Sequence, residues 1–313
     1  MNLQQLRYIL EVSRRGLNVS DAADALYTSQ PGVSKQIRQL EAELGVEIFV
    51  RNGKRLVAVT EPGRAVLAIA ERVLTEVDNL RQVGEEFSNE NVGSLSIATT
   101  HTQARYRLPS VVRSFMRRYP QVKLSLHQGN PRQVCEMVLD GTADLGIATE
   151  AIADYEELVM LPCYQWNRCI VANLRHPILQ EQPLTLEAIA RYPLITYDDA
   201  FTGRSQINKA FLGRGLKPNV VLSAIDSDVI KKYVEMDLGV GILARMAYEP
   251  EEDRRLGMVD AAHLFESSTT RIGLRRRAWL RAYVYAFIEE FAPHLTRRIV
   301  EAAQAGGGSD PGL

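Results

Sequence analysis

Cysteine is scarce in this chain and falls without pattern: Cys135, Cys163 and Cys169 form neither an even framework nor a CxxC pair. That argues against a disulfide-stapled extracellular fold and fits a reducing compartment, so a cytoplasmic protein is expected. The five histidines show no metal-ligand spacing, and no metal site is expected. No apolar run approaches the ~20 residues needed to span a bilayer, and the opening MNLQQLRYIL lacks a basic stretch followed by a long apolar one, so neither export nor membrane insertion is expected. Enzyme signatures are missing too. There is no GxGxxG after a strand, no GxxxxGK[ST], no GxSxG and no HExxH, so no catalytic residue is assigned and an enzyme is not expected. Charge of one sign is not in excess: the formal net charge of -1 excludes a globally basic nucleic-acid coat but leaves room for local patches.

What is present is ordinary globular material, 313 residues with 46% hydrophobic and 24% charged, enough for two or three cores. Residues 1–59 read as three helices and a hairpin. Leu3, Leu6, Ile9 and Leu10 share one face of the first helix; Ser20 is expected to cap a short Ala-rich helix over 21–26. Pro31 suits the first position of a third helix, on which Val33, Ile37, Leu40 and Leu44 form an apolar stripe that Gly45 ends. Segments 46–50 and 56–59 flank Arg51-Asn52-Gly53-Lys54, a strong hairpin signal and a candidate wing. Off the stripe lie Gln30, Ser34, Lys35 and Arg38, hydrogen-bonding and cationic groups able to reach base edges and phosphates, with Pro31 at the helix entry. Arg51, Lys54 and Arg55 would hold the DNA backbone or minor groove through the wing. The alternative for this set is a solvated polar face on a small helical domain.

A second helix-forming stretch runs from Thr60 and Pro62 to about Phe87. Val66, Ala70, Val73, Val77, Leu80, Gly84 and Phe87 are spaced as a heptad seam with charged flanks, which points to a dimerising linker helix over 60–88; packing on its own domain is the alternative. From Gly93 onward strands alternate with amphipathic helices, predicting an α/β unit with mainly parallel sheets, and the tail over 305–313 reads as disordered. Thr100, Thr102 and Gln103 follow the strand LSIATT where a helix should expose unpaired N–H groups, an arrangement that cradles anions. Thr149 ends the strand ADLGIAT and Thr202 follows PLITY, so all fall at carboxyl ends of strands, where open α/β sheets bind ligands. Taken singly, each threonine could be a simple helix cap. Trp166 in CYQWNRC could stack over a ligand, with core packing as the alternative.

The stretch AADALYTSQPGVSKQIRQLEAELGVEIFVRNGKRLVAVTEPG resembles the DNA-binding signature of LysR-type transcriptional regulators. Beyond it, ATTHTQARYRLP, ADLGIATE, LVMLPCYQWNR, FTGRS and LGVGILA resemble the CysB subgroup, which governs cysteine biosynthesis and sulfur assimilation, while EIFVRNGKRL and TEPGRAVLAIAERVL resemble the related Cbl proteins. The resemblance implies an α/β protein with an N-terminal winged helix-turn-helix (1–59), a linker helix (60–88) and a two-lobed Rossmann-like effector-binding domain of periplasmic-binding-protein type II (93–300). Lobe I would take about 93–163 and 268–300, and lobe II about 164–267. It also implies a homotetramer on promoter DNA working with RNA polymerase. The implied effector is N-acetylserine or O-acetylserine at Thr100, Thr102, Gln103, Thr149 and Thr202, with sulfate or, in the Cbl manner, adenosine 5'-phosphosulfate as alternatives. The competing classes are a small-molecule binding protein without a DNA role and an enzyme of sulfur metabolism.

Overall fold

The computed structural model describes residues 1–53, 55–88, 91–149, 155–198 and 202–306, with the side chains of 82, 85–88, 202 and 203 outside the description. The chain divides into two compact units, Met1–Phe87 and Ser88–Leu313.

In the N-terminal unit, α1 (Leu3–Arg14) opens with a capping box in which Asn2 and Gln5 each accept from the other's backbone N–H. Helix α2 (Val19–Ala25) starts earlier than expected. Its cap is Asn18, whose side-chain oxygen accepts from the N–H groups of both Ser20 and Asp21, so Ser20 falls inside the helix. Ser29 caps α3 (Gln30–Leu44) by accepting from Gly32, which places Pro31 one residue inside the helix start, where a missing N–H still costs nothing. Gly45, at φ +70°, closes α3. Val33, Ile37 and Leu40 pack with Leu6, Ile9 and Val12 of α1 in one core.

The wing is the antiparallel pair β1 (Phe49–Asn52) and β2 (Arg55–Val59), turning through Gly53 at φ +62°. It hangs on α3 through Glu41, a buried carboxylate that accepts from the N–H of Ile48 (2.9 Å) and Phe49 (3.2 Å) and pairs with Arg51 at 2.6 Å. Thr60 then caps α4 (Glu61–Ser88), accepting from Gly63 at 2.8 Å. At 28 residues α4 is about 42 Å long. The expected seam divides along it: Val66 and Ala70 pack on the N-terminal core, whereas Val73 and Leu80 are 38% and 72% exposed.

The C-terminal unit runs β3 (Val92–Thr99), α5 (Leu108–Arg118), β4 (Gln121–Gln128), α6 (Pro131–Leu139), β5 (Leu145–Thr149), β6 (Leu158–Trp166), β7 (Arg168–Asn173) and α7 (Leu186–Ala190). It continues with β8 (Leu194–Tyr197), α8 (Thr202–Gly213), β9 (Val220–Ala224), α9 (Ser227–Glu235), β10 (Val240–Ala244) and β11 (Leu256–Asp260), then β12 (Ser268–Arg275), α10 (Ala282–Phe291) and α11 (Arg297–Gln304). Lobe I is the sheet β4-β3-β5-β12-β6, and lobe II is β9-β8-β10-β7-β11. The two orders are equivalent: a parallel trio, then a strand antiparallel to it, then an edge strand antiparallel to that one.

The sheets are therefore mixed rather than mainly parallel. The chain crosses between lobes through Asn167 and returns over 261–267, and the strand entered at each crossing, β7 or β12, runs against the trio of its lobe. Strand β6 stays paired to β12 as far as Trp166, which moves the first crossing beyond the expected break at 163/164. Strand β11, missing from the sequence reading, pairs at the edge of lobe II, where its short LGMVD run carries little alternation. Each lobe has its own core, Leu95, Ile147, Phe287 and Phe291 in one, Ile170, Ile207, Phe211 and Ile242 in the other. The GVG of 239–241 belongs to this packing: a Cβ on Gly241 would lie 2.6 Å from Val171 and 3.0 Å from Val234 of α9. Among the described residues no helix is long and apolar enough to cross a membrane. Residues 307–313 of the expected disordered tail lie outside the described residues.

Candidate functional site

With one face of α3 buried, the other faces outward. Gln30, Pro31, Lys35 and Arg38 are exposed and Ser34 is half-buried, and with Gln39 and Ala42 they line an open groove of about 560 Å³. Gln30 donates to the Ser34 hydroxyl at 3.2 Å, an i,i+4 bond that holds two hydrogen-bonding groups side by side. Neither Lys35 nor Arg38 has an ion pair or hydrogen bond among the described residues, so both cations are available to an anionic partner. Arg51 is placed differently from the expectation: it is drawn back onto buried Glu41, so its guanidinium braces the wing against α3. Arg55 is exposed at the start of β2, and Lys54 lies outside the described residues. The role of Glu41 depends on a hairpin folding back over it, which no local pattern in the sequence marks.

In the C-terminal unit the end of β3 passes into a helical segment whose middle, Gln103–Arg107, is π-helical. Thr99 donates to the Ile147 carbonyl at 3.0 Å, and in lobe II Thr196 donates to that of Ile242 at 2.9 Å, so these two hydroxyls serve the sheets. Thr100, Gln103 and Thr149 are buried at the strand ends of lobe I. The register sets Thr149 beside Thr270 and Thr270 beside Tyr164, one row across three strands. Gln103 caps the row: its Nε2 donates to Thr270 Oγ1 at 3.2 Å, while the Tyr164 hydroxyl donates to its Oε1. Burial pushes the Tyr164 phenol up to about 12, so it stays a neutral donor. Gln103 thus has its amide oriented by Tyr164 and Thr270 and keeps a second N–H, a donor suited to an anion.

Thr102 turns to the other lobe, where it lies close to the Tyr197 hydroxyl and opposes the rise that burial imposes on that phenol. That hydroxyl shares a 2.7 Å bond with Ser227 and accepts from Ala244 N–H at 3.2 Å. Thr202 begins α8, and its side chain lies outside the described residues. Trp166 is half-buried at the crossing between lobes rather than in a core, with the Arg168 guanidinium 5.2 Å from its ring and a buried indole N–H that has no partner among the described residues. Sequence reasoning missed Tyr164, Thr270 and Tyr197. Thr270 lies far along the chain from Thr149, and only sheet pairing brings the two together.

The LysR substrate binding domain profile matches residues 88–296, and that of the bacterial regulatory helix-turn-helix proteins of the lysR family matches 3–64. The chain belongs to the LysR family. This LysR-family protein is 55% identical over 306 residues to "HTH-type transcriptional regulator CysB" of Burkholderia cenocepacia, covering 98% of each chain. It is also 55% identical to "HTH-type transcriptional regulator SsuR" of the same organism, over 94% of this chain and 96% of that one. Among solved structures, the cofactor-binding domain of the Cbl transcriptional regulator aligns with a TM-score of 0.65 and 43% identity, covering 67% of this LysR-family chain and 92% of that one.

Proposed function

We propose that this LysR-family protein is a cytoplasmic, sequence-specific transcription regulator of cysteine-biosynthesis and sulfur-assimilation genes. It reads promoter DNA with the exposed start of α3 and is controlled by a small anionic effector between its lobes. The observation that carries the DNA part is the split character of α3, with Val33, Ile37 and Leu40 buried and the cations Lys35 and Arg38 left outward beside the Gln30–Ser34 pair. The sulfur role is supported by the likeness to relatives named CysB, SsuR and Cbl.

On this reading Gln30, Pro31, Ser34, Lys35 and Arg38 select the site, and Arg55 and Lys54 hold the backbone. Two copies pair through the exposed half of α4, and two such dimers form the tetramer that engages RNA polymerase. N-acetylserine or O-acetylserine, or sulfate in the same place, binds at Thr100, Thr102, Gln103, Thr149 and Thr202, beside Trp166. It shifts the tetramer on DNA by favouring one lobe arrangement over another. The protein acts as a regulator and turns over none of these compounds. A second reading, a Cbl-like regulator of sulfonate use answering to adenosine 5'-phosphosulfate, is favoured by the likeness to the Cbl domain.

Calorimetry of the full chain with each compound, together with footprinting on duplex promoter DNA, separates these readings. N-acetylserine binding that weakens in Thr100→Val and Thr202→Val supports the first, and tighter phosphosulfate binding supports the second. No sequence preference on duplex DNA, with or without the compounds, overturns both.

A further inference from the structure

The segment from His101 to Arg107 presents different faces to the two lobes, and its i,i+4 pairs sort them. Gln103 and Arg107 both turn to lobe I: Gln103 accepts from Tyr164, and the Arg107 guanidinium lies 5.1 Å from the same ring. Thr102 and Tyr106 both turn to lobe II, Thr102 to Tyr197 and Tyr106 to Asp228 at 2.7 Å. His101 and Arg105 also meet at Asp228, each 3.7 Å from Oδ2, and Arg105 extends to Glu252 at 2.7 Å. The π-helical widening adds a residue to the turn, which lets neighbouring side chains diverge between two partners.

The lobe II side is built to receive it. Lys231, buried on α9, pairs with buried Asp253 at 2.9 Å and with Asp228 at 3.5 Å, and its ammonium lies 5.2 Å from the Tyr106 ring. The ligand-type atoms of His101, Asp226 and Asp228 come within 4.8 Å of one another. Arg105 and Lys231 already flank Asp228 there, so the positive charge is supplied by the chain itself and a metal ion has no call on the site.

We propose that His101–Arg107 is a two-faced clasp in which Tyr106 and Asp228 are positioning residues, holding Thr102 and Gln103 in register for the effector and joining the lobes at the same time. This deepens the effector reading given above and rests on it for the identity of the ligand. Because Thr102 and Tyr106 sit one turn apart on one face, the Tyr106–Asp228 bond fixes where Thr102 stands when the effector arrives. Occupancy and lobe attachment are therefore coupled through a single turn.

The test uses the full chain carrying Tyr106→Phe or Asp228→Asn. Without ligand, amide hydrogen exchange should quicken about tenfold in both 101–107 and 227–235 in either variant, while Leu3–Arg14 keeps its protection. Unchanged exchange, or a rise confined to one lobe, overturns the clasp. The coupling is read by calorimetry with N-acetylserine in a cycle of Tyr106→Phe and Thr102→Val. The Tyr106→Phe loss should be at least about threefold smaller once Thr102 is gone, a non-additivity that a purely structural role for Tyr106 would not produce. Additive losses overturn the positioning role. Should the unaltered protein bind no N-acetylserine, the effector reading fails, and the exchange result alone decides the clasp.

Discussion

Replacing Glu41 with alanine removes one carboxylate that serves three donors. Ile48 and Phe49 are fully buried, so their N–H groups would lose their acceptor with no solvent at hand, and Arg51 would lose the partner 2.6 Å away. An unsatisfied buried donor costs about 1–3 kcal/mol, and partial relaxation of the wing returns some of that, which leaves roughly 3 kcal/mol. For a unit the size of Met1–Phe87, each kcal/mol moves the melting midpoint by about 4–8 °C, so a fall on the order of 15 °C is expected. The chain supplies its own control. Both tryptophans, Trp166 and Trp279, lie in the C-terminal unit, so their fluorescence reports that unit while far-ultraviolet circular dichroism reports both. Glu41→Ala should give an early helical transition by dichroism with the tryptophan transition in place, and Glu41→Gln, which keeps an acceptor but loses the charge, should recover about half. An unchanged dichroism midpoint, or a tryptophan transition that falls equally, refutes the reasoning.

Arg55→Ala should weaken binding across DNA sequences alike and lower the salt slope of log K by about 1, whereas Arg51→Ala should act mainly on stability; a larger slope change for Arg51 contradicts the pairing with Glu41. Leu80→Glu places a charge on the exposed half of α4 and should shift sedimentation toward smaller species without lowering the N-terminal melting midpoint. Cys135, Cys163 and Cys169 are buried, and burial pushes the thiols of Cys163 and Cys169 up to about 12, so a thiol reagent at pH 8 should label all three only after denaturation. Burial alone would raise Asp228, but the Tyr106 hydrogen bond and the charges of Lys231, His101 and Arg105 hold it below the ordinary carboxylate value. A value depressed on folding stabilises fully above the unfolded pKa of about 3.9 and is lost as pH falls through the lower folded value. Loosening of 101–107 in hydrogen exchange should therefore begin only below about pH 4, and an acid midpoint above that contradicts the clasp.

Much of the N-terminal unit was legible because its signals are local. The 3-4 spacing of Val33, Ile37 and Leu40 fixes which face of α3 is buried, and therefore which residues face outward. Asn-Gly and Gly45 mark turns that need a left-handed backbone. The cap of α2 was misplaced because Asn18 and Ser20 both qualify by residue type, and only the folded backbone shows which side chain meets the free N–H groups. In the C-terminal unit the strand ends and their threonines could be read, but their duties could not: Thr99 serves the sheet, Thr102 reaches the other lobe, and Gln103 is fixed by two residues from distant strands.

The sequence by itself determined most of the elements, their buried faces and the order in which a helix with an outward polar face, a long helix and a two-lobed α/β unit follow one another, since periodicity and turn chemistry act over a few residues. Tertiary structure alone decided that Arg51 braces the wing, that Thr149, Thr270 and Tyr164 form one row, and that Tyr106 meets Asp228 across the lobes. Those pairings join residues far apart in the chain, and their partners are chosen by sheet register and by the double crossing between lobes, neither of which leaves a local mark on the sequence.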